Sequence, residues 1–494
     1  DYVFEDPLDP RYVHDEYNRS NGFSTGGQNK GHTVRTEKTL NLKLDYSRQI
    51  NKRHFLKTGI DLSRITLDQD YRSIQNAYRG TSLEYTGYYD GNNEVQFPYY
   101  EPTTYSDSST YSDIYTHEPI KFALFVQDKM EYESMVINLG VRFDYFDADA
   151  IYPTNYRNPA NLLHQLESSR YSTYPKADPQ YQISPRLGLS YQLGESALLR
   201  FSYGHFLQLP PLDYFYQNNS HLVQVPDFTT RMGNPNLNVQ KTIQYEVGLW
   251  QQLNDMMSVE VAVYYRDIYD LVTATIFTTY DQIRYGVYTN SEYGNARGLE
   301  VKYDFRHKSL MAGMNYTLGY TRGVADDPQM SFNRAGNSMD PVNKMIPMAW
   351  DQRHVFNTFA GVQKETFGAT AMLYYFSGEA YTWNPIAQSP LARINLFPNN
   401  QHKPARYILD LNAFYQFLTM GRMKMRLTLM AYNLLDRLNE NNVNGATGRA
   451  DQFIVQESDL AAHRSDYHEY SDQVLNPSNF SNPRIVKLGI GVTF

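Results

Sequence analysis

Long runs of strict period-two alternation, joined by connections that are alternately short and long, constrain this chain more than any other feature. Leu40, Leu42, Leu44 and Tyr46 alternate with Asn41, Lys43, Asp45 and Ser47. Met135, Ile137, Leu139, Val141, Phe143 and Tyr145 form one face of a later run, with Asn138, Gly140, Arg142 and Asp144 on the other. Met257, Val259, Val261, Val263 and Tyr265 likewise oppose Ser258, Glu260, Ala262 and Arg266. Such alternation marks a strand whose two faces meet different surroundings. A soluble sandwich alternates too, but its strands average about 5 to 6 residues. Here the runs last about 10 to 14 residues, which suits strands tilted across a bilayer, where about 9 to 11 are needed.

Fifteen such strands are expected, near 39–49, 54–67, 119–131, 134–147, 181–192, 197–207, 240–252, 256–268, 288–304, 309–322, 351–363, 367–377, 406–417, 422–434 and 484–494. The connections after strands one, three, five, seven, nine, eleven and thirteen are tight, such as Gln192-Leu193-Gly194-Glu195-Ser196. Those between are long, about 20 to 50 residues, so all long loops fall at one end, the asymmetry of an all-β transmembrane antiparallel barrel. A soluble meander has no reason to obey that rule.

Composition agrees once the pattern is seen. Across 494 residues the chain carries a net charge of −8, 44 Tyr, 25 Phe and no Cys, with a mean hydropathy of −0.58. Zero Cys removes disulfide scaffolds and thiolate chemistry. Scattered basic residues on an acidic chain argue against nucleic acid as a partner. No stretch approaches the roughly 20 apolar residues of a spanning helix.

Parity adds a further expectation. A closed barrel of one bacterial chain needs an even strand number, and fifteen is odd. Either a strand hides in the Tyr-rich 71–118 stretch, or the sequence lacks an N-terminal part; the second is preferred. Residues 1–38 then read as an extracellular loop segment that follows missing strands, and 39–494 as the barrel.

Several stretches, in order along the chain, resemble TonB-dependent outer-membrane receptors of Bacteroidota-like type. They are Phe122-Ala123-Leu124-Phe125-Val126-Gln127-Asp128, Asn138-Leu139-Gly140-Val141-Arg142-Phe143-Asp144 and Ile183-Ser184-Pro185-Arg186-Leu187-Gly188-Leu189-Ser190-Tyr191, followed by Asn234-Pro235-Asn236-Leu237 and Asn295-Ala296-Arg297-Gly298-Leu299-Glu300. Asp351-Gln352-Arg353-His354, Ser377-Gly378-Glu379-Ala380-Tyr381-Thr382 and Ala431-Tyr432-Asn433-Leu434-Leu435-Asp436 complete the series. The resemblance implies a 22-stranded barrel of which this chain holds strands 8 to 22, with no plug domain in the sequence. It also implies multi-pass insertion in the bacterial outer membrane among its lipids, energy from a TonB complex acting through the plug, and biogenesis by the barrel-assembly machinery. The last strand alternates Leu488, Ile490, Val492 and Phe494 with Lys487, Gly489, Gly491 and Thr493, like the signal that machinery reads.

Site candidates divide between wall and loops. Arg142, Asp144, Glu246, Glu260, Arg266 and Glu300 are expected to face the lumen, among other inward charges such as Lys43, Lys57 and Asp61. Tyr88, Tyr89, Tyr99, Tyr100, Tyr214, Tyr216, Tyr381 and Trp383 lie in loops, and flat amphipathic rings suit binding of sugars, peptides or aromatic chelators. The alternative is that these rings pack the loops on one another. Asp351-Gln352-Arg353-His354 reads as the hydrogen-bonded cap of a strand end, since one His beside one Asp supplies too few metal ligands. No cofactor is expected, although Asp147-Ala148-Asp149, Asp68-Gln69-Asp70 or Asp90 to Glu94 could hold a calcium ion, which takes six to eight oxygens.

The expected function is active import of a nutrient of siderophore, glycan or peptide class, bound by the Tyr-rich loops and passed through the barrel. The alternative is a receptor-like barrel that serves as a docking platform for a surface lipoprotein. An enzyme is not expected, since no Ser or Asp is seen to pair with a loop His.

Overall fold

The computed structural model describes residues 31–83, 88–89, 95–96, 101–107, 109–158, 172–384, 397–420, 423–454 and 476–493. Fifteen long strands dominate it. They are β1 (Gly31–Gln49), β2 (His54–Asn76), β3 (Ile120–Glu131), β4 (Met135–Asp147), β5 (Gln180–Leu193), β6 (Ala197–Gln208), β7 (Gln240–Asn254) and β8 (Met257–Thr278). The remainder are β9 (Arg284–His307), β10 (Leu310–Gly323), β11 (His354–Gln363), β12 (Phe367–Phe376), β13 (Arg406–Met420), β14 (Met423–Tyr432) and β15 (Ile485–Thr493). Each pairs antiparallel with its sequence neighbour, from β1 with β2 to β14 with β15, so the sheet is one continuous meander.

All fifteen expected strands are present, and the corrections concern their ends. Residues 31–38, expected in an outer loop, extend β1, with Gly31 opposite Ser73 and Lys38 opposite Thr66. Polar side chains occupy both faces there, so the backbone ladder continues where the alternation that would announce it has stopped. Residues 1–30 lie outside the described residues. β8 and β9 likewise run past the expected ends to Thr278 and Arg284. The 71–118 stretch contributes no further crossing strand among its described residues. Its short segments Pro102–Thr104 and Ser112–His117 pair back on the outer half of β2.

Tight turns close the other end by local chemistry. Asn51 Oδ1 accepts from the backbone N–H of Arg53 at 2.8 Å and of His54 at 3.1 Å, an Asx turn that needs no tertiary support. Gly194 takes φ +65° between β5 and β6, where a side chain would strain the backbone.

The apolar half of each strand is bare. Leu40 is 75% exposed, and Leu42, Leu44, Leu139, Val141, Ile183, Val263, Leu488 and Ile490 stand out in the same way. An exposed apolar surface of this extent fits an apolar phase, which strands whose backbone groups are paired with their neighbours can enter. The opposite face carries the polar set, and its strands fit closely because glycine on one strand receives an aromatic ring from the next. Gly59 faces Phe125, Gly298 faces Tyr264, Gly313 faces Phe359 and Gly368 faces Phe414, each in direct cross-strand register.

Candidate functional site

At the long-loop end the segments fold together into a cap with a true hydrophobic core. Leu67 from β2, Tyr115, Phe146 from β4, Leu237, Val272 and Ala274 from β8 and Tyr288 from β9 form one buried cluster. Into it insert Phe215 and Tyr216 of the short helix α1 (Asp213–Tyr216) and Phe332 of α2 (Met330–Gly336). The outer extension of β8 and β9 is covered on both faces. Tyr285 and Val287, on the side opposite Ala274 and Tyr288, pack with Met232, Tyr156 and Phe277 in a second cluster.

Hydrogen bonds lock these loops at specific points. Gly233 lies so close to α1 that a Cβ there would sit 2.7 Å from Gln217 N. Asn234 Nδ2 donates to Tyr288 O at 2.9 Å, and its Oδ1 accepts from Asn236 N at 3.0 Å, which seats Leu237 in the core. Asp113 accepts from the N–H groups of Asn218 and Asn219 at 2.8 and 2.9 Å. Burial still raises its carboxyl pKa, because desolvation outweighs the two bonds. His221 is buried, with no hydrogen-bond partner for Nδ1 among the described residues, and burial pushes its imidazole down to about 4. An ion pair from Arg35 of β1 to Asp213 of α1 ties the cap to a strand five ladders away from β6. The sheet must curve for the two to meet, so the cap stands over its concave side.

A second outer network surrounds Asp351-Gln352-Arg353-His354, as expected for a strand-end cap. Asp351 is 1% exposed, accepts from Thr321 N at 2.8 Å and pairs with Arg353 at 3.0 Å. Arg353 also stacks on Tyr320, and His354 Nδ1 meets the Tyr316 hydroxyl at 2.9 Å. Glu379 continues the network to Lys403 at 3.1 Å and Arg406 at 3.4 Å.

The loop aromatics fall into different situations. Tyr216, expected to touch ligand, is 1% exposed, donates its hydroxyl to Ala148 O at 2.6 Å and stacks on His117; a ring so enclosed presents no face to a ligand. Tyr214 packs on the same cluster with its ring 4.6 Å from that of Tyr288. Tyr381 and Trp383 are half-buried at the rim. Trp383 Nε1 donates to Ala446 O at 2.8 Å, and Gly448, at φ +71°, lies under the Tyr381 hydroxyl. Tyr88 and Tyr89 form a two-residue strand with Val95–Gln96, but their side chains, like Tyr99 and Tyr100 entirely, lie outside the described residues.

On the wall, Arg142 Nε donates to Asp144 at 2.8 Å. Arg200 pairs with Glu260 across β7, where Gly248 opposite Arg200 leaves the path open. Glu246 accepts from Gln244 at 3.3 Å, Arg266 lies over the Tyr264 ring, and Glu300 sits in register between Ala262 and Thr317. Leu488, Ile490 and Val492 line the exposed edge of β15, and Phe494 lies outside the described residues. Of the acidic groups considered for calcium, Asp147 and Asp149 both hold Lys176, at 3.2 and 3.3 Å. Asp68 accepts from Thr116 and Asp70 from Arg72, while 90–94 lie outside the described residues. Among the described residues no three His, Asp or Glu converge as metal ligands.

Among the cavities that the described residues form, two neighbouring ones lie on the wall beneath the cap. The upper, about 480 Å³, has Phe146, Leu209 and Val239 toward the cap and Asp61, Lys121, Arg142, Asp144 and Arg186 along the wall. The lower, about 440 Å³, carries Lys57, Arg142 and Arg186 and no carboxylate. Sequence reading placed Lys57 and Arg142 on the inner face but did not single out Arg186. The cue was there in Gly140 and Gly204, yet it acquires meaning only in register, where both lie directly opposite Arg186.

Residues 3–434 match a family described as TonB dependent receptor-like, beta-barrel. No curated protein sequence matches the chain. Among solved structures it is similar to the outer membrane transporter YddB from Escherichia coli, with a TM-score of 0.55 at 10% identity over 93% of this chain. It is also similar to the FrpB iron transporter from Neisseria meningitidis, with a TM-score of 0.52 at 11% identity over 94% of this chain. The ferric enterobactin receptor from Pseudomonas aeruginosa gives a TM-score of 0.52 at 12% identity over 93%. The chain spans 54%, 56% and 54% of those three proteins, in that order.

Proposed function

This chain belongs to the TonB-dependent receptor β-barrel family of the outer membrane, and from that premise we propose that it forms wall and outer mouth of an active import receptor. In this reading a nutrient of siderophore, glycan or peptide class binds at the rim and passes along the polar inner wall, driven by a TonB complex acting through a plug. The observation that carries the reading is a family match over residues 3–434 on a sheet whose polar concave face lies beneath an aromatic cap. Trp383 and Tyr381 of the rim are the loop aromatics best placed to meet a ligand, being half-buried and hydrogen-bonded or propped in fixed orientations. Outer-membrane lipids would cover the Leu and Val face, and the barrel-assembly machinery would receive the β15 end. Calcium in an outer loop remains a subsidiary proposal.

The test is uptake. Cells lacking the gene, supplied in turn with a limiting ferric chelate, oligosaccharide or peptide, should lose accumulation of one of the three. Deleting the tonB function should abolish the same uptake; accumulation that survives it would overturn the reading. A docking role has its own support in Val225, Tyr280 and Trp350, large apolar side chains exposed on the loops. A stoichiometric surface lipoprotein held on those loops in native membranes, with uptake intact in the mutant, would favour it.

A further inference from the structure

The apolar outside of the sheet also carries charge, at the level where β9 and β10 approach the loops. Arg297 stands directly opposite Tyr265 of β8 on one side and Tyr320 of β10 on the other. The next row of the same face, toward the tight turns, is Val263, Leu299 and Leu318, so Arg297 belongs to the lipid-facing side. Residues 298–307 separate it from the turn, the length of one bilayer crossing, about 9 to 11 residues. Arg297 therefore sits at the outer margin of the apolar belt. Arg322 is the next residue of β10 on that face, opposite Asn295 and diagonal to Arg297.

Neither guanidinium has a counter-ion among the described residues. Arg297 is exposed, with its guanidinium 5.7 Å from the centre of the Tyr320 ring. Arg322 keeps its Nε buried without a hydrogen-bond partner among the described residues. The carboxylates in the neighbourhood are engaged elsewhere: Asp351 with Arg353 at 3.0 Å, and Asp267, opposite Asn295, with the Tyr293 hydroxyl. On the far side of the sheet the outward cations are different. Arg64, opposite Leu40, is paired with Glu118, and Arg72 with Asp70 at 2.7 Å. Long side chains on diagonal positions of adjacent strands start about 7 to 8 Å apart, within reach of one shared guest. A guanidinium matches a phosphate through two parallel N–H···O bonds. At this depth of a bilayer the available anions are lipid head-group phosphates, and the rings of Tyr265 and Tyr320 beside Arg297 suit the boundary between acyl chain and head group.

We propose that Arg297 and Arg322 form a site on the outside of the barrel for the phosphate of a lipid head group in the outer leaflet. The site needs only the outer-membrane placement of the family and is independent of what the barrel carries. Its acyl chains lie along Val263, Leu299 and Leu318, so one lipid is held by its charge and by its apolar body together.

The experiment uses the receptor purified from outer membranes in a non-ionic detergent, titrated with dioleoyl phosphatidic acid and, as its uncharged counterpart, dioleoylglycerol, with bound lipid counted by native mass spectrometry. Phosphatidic acid should be retained saturably and dioleoylglycerol should not. Arg297→Gln with Arg322→Gln should weaken retention about tenfold or more, the size of a charge-assisted contact. Arg297→Gln alone, at an exposed position where folding is safe, should weaken it several-fold and decides the matter if the double variant does not fold. Arg64→Gln, which removes an outward cation already paired with Glu118, should leave it unchanged. Equal retention of both lipids, unaltered retention in Arg297→Gln, or an equal loss from Arg64→Gln would overturn the proposal. So would displacement of phosphatidic acid by inorganic phosphate at the same concentration, since the site would then serve a free anion and not a lipid. Because the measurement needs neither TonB nor a transported ligand, its failure is distinct from a failure of energised uptake.

Discussion

Gly59 on the wall and Tyr216 in the cap are both held by aromatic contacts, but in different ways. Gly59 meets Phe125 across one ladder, and the contact depends only on the register of two adjacent strands. Tyr216 touches His117, Tyr115 and Phe215 and bonds to Ala148, so three segments well separated in sequence must converge before it is buried. Among the described residues the buried hydrophobic clusters lie in the outer segments and not on the wall, whose stability resides in paired strands and in the apolar phase around them. The cap is a small globular domain by contrast, with large side chains enclosed. Wall damage should therefore spread along ladders, and cap damage should stay above them.

The largest effect that would test this contrast is Tyr216→Ala. Losing a buried ring and its hydrogen bond costs about 3 to 5 kcal/mol. The cap should open to protease between 209 and 239 while the barrel still assembles. Loss of barrel assembly in this variant would show that cap and wall are one cooperative unit.

Acid should separate the two regions by a similar amount. His221 titrates near 4 when folded and near 6.5 when released, so the unfolded cap binds the proton more readily. The stabilisation from a neutral buried His221 is thus complete above about pH 6.5 and is lost as pH falls toward 4, by roughly 3 kcal/mol. Asp113, with its pKa raised in the folded cap, works in the opposite direction and trims that loss. Of the nearby groups, Tyr216 and Tyr174 are raised and do not titrate in this window. Hydrogen exchange corrected for intrinsic rate should show cap amides opening at pH 4.5 and wall amides unchanged; equal protection at pH 4.5 and 7.5 would refute the assignment.

On the wall, Gly298→Val should cost about 1 to 3 kcal/mol through forced displacement. Its Cβ would lie 2.5 Å from Leu318 O and 2.7 Å from the Tyr264 hydroxyl. Reduced assembly with β9–β10 amides exchanging early is expected, and wild-type yield would count against close packing there. Smallest is Glu260→Gln. Its pair with Arg200 is partly exposed, so no more than about 1 kcal/mol should be lost in a denaturation series.

The contrast also explains what could be read from sequence. A wall strand has one apolar and one polar neighbourhood along its length, so Leu139, Val141 and Gly140, Arg142 disclose their faces directly. The extension of β8 is covered on both sides, and Val272, Thr273 and Ala274 are buried in succession, which removes the alternation. The two short helices carry too few residues for a helical period. The sequence cannot separate Tyr216, 1% exposed, from a ligand-facing ring, because a ring that packs a loop and a ring that offers itself to solvent have the same chemistry. The Asp351 network was legible because a buried carboxylate beside Arg and His needs such partners. Arg186 was not, since its setting belongs to three strands at once.

The tight turns at one end carry a consequence for the order of events. Each sets the register of a strand pair from residues adjacent in sequence, so hairpins such as β1–β2 can form early with little loop-closure cost. The cap joins Leu67 to Phe332 through contacts of high sequence separation. It has no surface to form on until the meander has reached β9. Synthesis and membrane entry of the wall would thus act as the template, and the mouth would be the last part of the molecule to take shape.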